Sequence, residues 1–136
     1  VIRFVVYGQP VPKARPRVVR RGDRVITYTP KSTATWEDMI RYQALEHRPP
    51  RLLDGPIAVR ATFYLAQPKS RRKDVWADRK PDWDNLAKAV TDALEGLFWA
   101  NDSRLVDVQV RKMYGDPPRV EIEVEELPRR GSVRGG

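Results

Sequence analysis

Residues 56–67 alternate without a break, and that run limits the folds open to this chain more than any other stretch. Ile57, Val59, Ala61, Phe63 and Leu65 fall on one side; Ala58, Arg60, Thr62 and Tyr64 fall on the other. A period of two over this length is a strand with one face on a core, and such a strand needs sheet partners and an apolar cover. Partners are at hand. Residues 1–7 are β-branched and aromatic, and residues 104–114 place Val106, Val108 and Val110 on one face. Residues 119–127 alternate Val120, Ile122 and Val124 with Glu121, Glu123 and Glu125, so the glutamates are predicted to face solvent. Residues 17–28 read as a hairpin turned at Arg21-Gly22-Asp23.

The cover comes from two helical patterns. Thr29-Pro30 reads as an N-cap with proline at the first helical position. The helix it opens spans residues 31–47, buries Trp36, Met39, Ile40 and Ala44, and ends at Pro49-Pro50. A second stripe, Leu86, Val90, Ala93, Leu94 and Leu97, faces away from Asp84, Lys88, Thr91, Asp92 and Glu95, with Gly96 as the stop. The order β, hairpin, α, β, α, β, β predicts a mixed α+β (α/β) domain. It has a single mixed sheet with two helices packed on one face, parallel pairing across the helical connections, and the last two strands joined as a hairpin at residues 115–118. With 136 residues this is one domain. It is expected to occupy residues 1–127, with residues 128–136 as a disordered basic tail.

The second helix is preceded by Lys80-Pro81-Asp82-Trp83-Asp84. Two residues apart on a helix diverge by about 200°. Pro81 favours an extended approach, which puts Asp82 and Asp84 on one side and Trp83 on the other, with one carboxylate capping the helix. Lys88, one turn past Asp84, aims at the same space. Asp102 joins them only if the chain returns along the helix, which is roughly 17 Å long at 1.5 Å per residue. An extended return from Gly96 covers roughly 20 Å, so residues 98–102 must run straight back.

Gathered carboxylates repel and raise one another's pKa, so they are a poor device for stability. Around Mg²⁺ they make sense, because that ion takes oxygen ligands, keeps several waters and binds phosphate oxygens as well. A metal on Asp82, Asp84 and Asp102 could activate water and stabilise charge on a scissile phosphate, with Lys88 adding positive charge there.

Net charge is +8, which favours a polyanionic partner through counterion release. Residues 13–24 carry six basic residues against one acid, and residues 69–80 carry six against two. Lys13, Arg15, Arg17, Lys69, Arg71, Arg72, Lys73 and Lys80 are the expected phosphate contacts. The second basic run is a polar connection expected to be mobile. Trp83 is expected in the core, Trp36, Phe98 and Trp99 in packing or a subunit interface, and Trp76 is left open. Cysteine is absent and His47 is the single histidine, which disfavours Cys-ligated zinc, disulfides and His-based chemistry. This fits a cytosolic protein. Residues 1–7 are too short for a signal peptide, and nothing approaches a membrane span.

The motif Asp82-x-Asp84-Asn85-Leu86-x-Lys88-Ala89, then Asp92-Ala93-Leu94 and Phe98-Trp99-Ala100-Asn101-Asp102, resembles the RusA-type Holliday junction resolvases. Residues 8–17 are similar to that family's basic first loop. The resemblance implies a small dimeric endodeoxyribonuclease of bacteria and their prophages, cytoplasmic, acting in recombination and repair. It implies Mg²⁺-dependent hydrolysis, with Mn²⁺ as the substitute ion, making paired nicks in opposed strands of a four-way junction. Asp82, Asp84 and Asp102 match the family's essential carboxylates and Lys88 its essential lysine. Some members carry two adjacent acids where this chain has Asn101-Asp102. Asp92 also matches a family acid and is read as a helper or structural residue. Two other readings stay open: a basic junction-binding protein without chemistry, and the same chemistry on flaps or forks.

Overall fold

The alternating run is the strand on which the molecule is built. The computed structural model describes residues 1–14, 17–28 and 31–130. Its elements are β1 (Ile2–Tyr7), β2 (Arg17–Arg21), β3 (Arg24–Tyr28), α1 (Lys31–Ala44), β4 (Ile57–Leu65), α2 (Trp83–Leu94), β5 (Leu105–Tyr114) and β6 (Arg119–Glu126). Four strands form a mixed sheet in the order β1-β6-β4-β5, and β2-β3 form a separate two-stranded sheet. β4 runs parallel to β5, across the α2 connection, and antiparallel to β6. The mixed α+β class expected from the element order is the one observed.

Two details differ from that expectation. β5 and β6 do not pair, because β4 lies between them. The connection 115–118 instead crosses the end of β4, where the Gly115 amide donates to the Leu65 carbonyl at 3.0 Å. A Cβ at Gly115 would stand 2.6 Å from the Tyr64 ring, so the crossing requires glycine. The second difference is a register shift opposite Ile57 and Ala58 that leaves Val106 as an extra residue in β5. Leu105, Val108 and Val110 then align with Ile57, Val59 and Ala61, while Val106 and Val108 are exposed at the sheet edge.

Both helices cover one face. Phe4, Val6, Val59, Phe63, Val120 and Ile122 from the sheet pack with Trp36, Ile40, Leu86, Val90 and Leu94 from the helices. Along α1 the buried positions are Thr33, Trp36, Glu37, Ile40 and Ala44. Met39 is exposed rather than buried, and a carboxylate, Glu37, stands in the apolar stripe. α1 ends at Ala44 and continues as a short 3₁₀ turn over Leu45–His47. The Thr29-Pro30 cap lies outside the described residues, as do residues 131–136 of the basic tail. Arg129, ahead of them, donates to the Asp54 carbonyl at 2.7 Å.

Candidate active site

α2 positions the acidic motif. Its amphipathic pattern buries Leu86, Ala89, Val90, Ala93 and Leu94, which turns the opposite face outward. Asp82 is the N-cap residue, with extended backbone at φ −71° and ψ 146°, yet its side chain makes no capping hydrogen bond. Trp83 is already helical, so the extended approach stops at Asp82 and the period of two does not reach Asp84. Trp83 is 59% exposed, not in the core, because its place on the first turn points away from the sheet's cover. The Asp84 carboxylate accepts from the neighbouring Asn85 amide at 3.0 Å. Both carboxylates are exposed, and neither belongs to an ion pair among the described residues.

Asp102 arrives by a tighter path than a straight return. Gly96 takes φ +84°, a left-handed conformation that suits glycine and stops the helix. The Gly96 amide donates to the Trp99 carbonyl at 2.7 Å, closing a turn that buries Phe98 and Trp99. Trp99 is thus in the core, and its indole N–H reaches out to donate to Asp102 Oδ1 at 2.7 Å. The Asp102 amide donates to the Glu95 carboxylate at 2.8 Å. Asn101 Oδ1 accepts from the Ser103 amide at 2.8 Å, an N-cap for the following turn. Burial raises the Asp102 pKa; the Trp99 hydrogen bond and Lys88 oppose this, while Glu95 and Asp92 add to it.

Lys88 faces Asp92 rather than Asp84. Its ammonium is 2.6 Å from Asp92 Oδ1 and 3.9 Å from Asp102 Oδ2. The hydrogen bond to Asp92 is the main cause of its raised pKa. Asp92 Oδ2 lies 3.3 Å from the Lys13 ammonium, which is 3.0 Å from Glu37. Burial opposes the charge on Lys13, and Glu37 and Asp92 together outweigh it, so its pKa is raised. The chain of charges from α1 to the Asp102 turn was legible only in part. Glu37 betrays itself by standing among Thr33, Trp36 and Ile40 on the buried face of α1, a signal the apolar pattern alone passes over.

The remaining basic residues divide. Lys69, Arg72, Lys73 and Lys80 are exposed, and Arg71 lies 3.7 Å from Asp74. Arg15 and the Arg17 side chain lie outside the described residues. The connection that carries Lys69–Lys80 is tied down rather than loose. Tyr114 donates to the Val75 carbonyl at 2.9 Å and Ala77 to the Lys112 carbonyl at 3.1 Å. The Lys112 ammonium donates to the Arg79 and Pro81 carbonyls at 2.7 and 2.6 Å. Lys112 thereby sets the approach to Asp82. Trp76 is 60% exposed on this connection.

Among the described residues no three His, Cys, Asp or Glu side chains stand together closely enough to hold a metal ion. Asp82, Asp84 and Asp102 are therefore not the closed cluster that their spacing suggested. Their chemistry nonetheless suits a hard divalent cation. They are oxygen donors, two are exposed and without a cationic partner among the described residues, and Mg²⁺ takes only one or two carboxylates while keeping waters.

A family model of endodeoxyribonuclease RusA matches residues 7–125. Protein YqaN of Bacillus subtilis (strain 168), itself uncharacterized, is 35% identical over 137 residues, covering 93% of this chain and 96% of its own. The crossover junction endodeoxyribonuclease rusA of Lactococcus phage r1t is 28% identical over 91 residues, 65% of this chain and 70% of its own. The chain belongs to the RusA endodeoxyribonuclease family. It is accordingly a Holliday junction-resolving endodeoxyribonuclease, a hydrolase that binds branched DNA. Nucleases of the family are generally dependent on a divalent metal. Among the described residues no helix is long and apolar enough to cross a membrane.

Proposed function

We propose that this RusA-family chain acts as a homodimer that uses Mg²⁺ to nick opposed strands of a four-way DNA junction in pairs. The reading rests above all on α2, which opens with Asp82 and Asp84, exposed and without a cationic partner among the described residues, and one turn later carries Lys88, 3.9 Å from Asp102 of the following turn. Both carboxylates are thus open to a metal ion. Asp82 and Asp84, with Asp102, are the residues that would hold the metal. Once bound, the ion supplies a water of lowered pKa and neutralises charge on the phosphate.

The protein's own groups have separable tasks. Lys88, 55% exposed at its side chain, presents a positive charge beside Asp102 where a scissile phosphate would lie. Trp99 fixes one oxygen of Asp102 and so orients the other. Lys69, Arg71, Arg72, Lys73 and Lys80, with Arg15 of the first loop and Arg17 at the start of β2, supply phosphate contacts that position the junction. A C2 dimer provides two such sites for two strands. Cleavage of a four-way junction and a linear duplex, with and without Mg²⁺, tests the whole reading. Selective, metal-dependent cutting of the junction is expected. Equal cutting of both substrates would reduce the protein to a general nuclease, and binding without cutting would make it a junction-binding protein.

A further inference from the structure

The first loop is stitched between the two helices. The Lys13 amide donates to the Asn85 carbonyl of α2 at 2.8 Å, and buried Thr33 of α1 donates to the Pro12 carbonyl at 3.2 Å. These bonds place the Lys13 side chain between Glu37 and Asp92, with its ammonium within 3.3 Å of both. Only 23% of that side chain is exposed, and only 9% of the Glu37 side chain. To reach a phosphate, Lys13 would have to break two ion pairs and leave a buried carboxylate unpaired, which is costly.

Beyond Lys13 the signs alternate through space: Glu37, Lys13, Asp92, Lys88, Asp102. Asp92 has each oxygen held by a different ammonium, which leaves its carboxylate one orientation. Glu37 is the buried end of this series, and Lys88, next to Asp102 at the other end, is its most exposed member. We infer that Lys13 and Glu37 are positioning residues for strand cleavage, orienting Asp92 so that it fixes the Lys88 ammonium beside Asp102, and that Lys13 is not a DNA contact. The inference rests on the proposed nuclease site, and it corrects the expectation that Lys13 grips phosphate. A flexible four-carbon amine such as Lys88 has many rotamers, and a site gains rate when its charged group is already in place. The Lys13–Glu37 pair, one residue on the first loop and the other on α1, supplies that constraint from parts of the chain far from Lys88 in sequence.

The test uses the full chain carrying Lys13→Met, Glu37→Gln or both Lys13→Met and Glu37→Met, with a four-way junction in Mg²⁺. Three quantities are read: the single-turnover cleavage rate at saturating protein, the metal-free junction Kd as a function of salt, and the thermal midpoint. For Lys13→Met and Glu37→Gln the rate should fall roughly 10- to 100-fold, the loss usual when an orienting partner is removed. Kd should stay within about twofold and the salt slope should be unchanged. The double variant removes the unpaired Glu37 charge, so its midpoint should recover while its rate stays low. In metal-free protein labelled at lysine nitrogen, Lys13→Met should also displace the Lys88 ammonium resonance.

A salt slope smaller by about one, with the saturated rate intact, would make Lys13 a phosphate contact and overturn the inference. Recovery of the rate together with the midpoint in the double variant would reduce the pair to a fold-stabilising one. An unmoved Lys88 resonance would break the link through Asp92. Failure of the unsubstituted protein to cut any junction is a separate outcome, and it overturns the proposed function itself.

Discussion

Two acidic surfaces of this molecule are built on opposite plans. On the sheet face away from the helices, Glu121, Glu123 and Glu125 of β6 each have an arginine. Glu123 is 2.8 Å from Arg3 and 3.4 Å from Arg60, Glu125 is 3.3 Å from Arg60, and Glu121 is 3.2 Å from Arg119. At the start of α2, Asp82 and Asp84 carry no such partner among the described residues, although the chain as a whole has eight surplus positive charges. The contrast is between acids each answered by an arginine and acids that no cation answers among the described residues. Asp92 and Asp102 stand between the two plans, paired with Lys88, which lies one turn past Asp84 on α2.

Substitutions at the open end should leave the fold alone and remove the chemistry. Asp82→Asn is expected to lower junction cleavage roughly 10⁴-fold, as loss of a central group does in other hydrolases. Its stability should change by no more than about 0.5 kcal/mol. Junction binding should be intact or tighter, because repulsion of phosphate falls. Unchanged cleavage would erase the contrast between the two surfaces. Lys88→Met should reduce the cleavage rate by about 10²–10³-fold with little change in Kd, the scale for one electrostatic group at a reacting oxygen.

Substitution of acids that are already paired should cost stability as well. Asp92→Ala leaves Lys13 short of one partner and is expected to cost about 1–3 kcal/mol in denaturant unfolding. Lys73→Ala, on the exposed connection, should weaken binding evenly across junction sequences and lower the salt slope by about one. The smallest effect belongs to the arginine–glutamate face. The Arg3 hydrogen bond holds Glu123 below the ordinary glutamate pKa. A depressed acid contributes stability above its unfolded value and loses it as pH falls through the folded one. Arg3→Ala should therefore melt slightly earlier than the parent at neutral pH, and the two should converge in acid. A gap that widened in acid would contradict the pairing.

Alternation in residues 56–67 and 119–127 and the stripe from Leu86 to Leu94 were enough to define the mixed sheet, its cover and the outward face of α2. Those are short-range patterns, in which the period of the side chains equals the period of the backbone. Strand order was not legible, because β6 could pair with β5 or cross to β4 with the same residues. Nor was the placing of Trp83 and Met39, whose exposure depends on where a helix begins and which stripe meets the sheet.

Sequence by itself determined which acidic residues lie at the start of α2 and along its outward face, because residue type and helical spacing are local properties of the chain. Only the tertiary structure decided which charges meet. Lys13 and Glu37 lie far from Asp92 along the chain, yet α1, α2 and the first loop bring their side chains within hydrogen-bonding reach of one another. Coulombic energy depends on distance and burial, and neither is written in residue order.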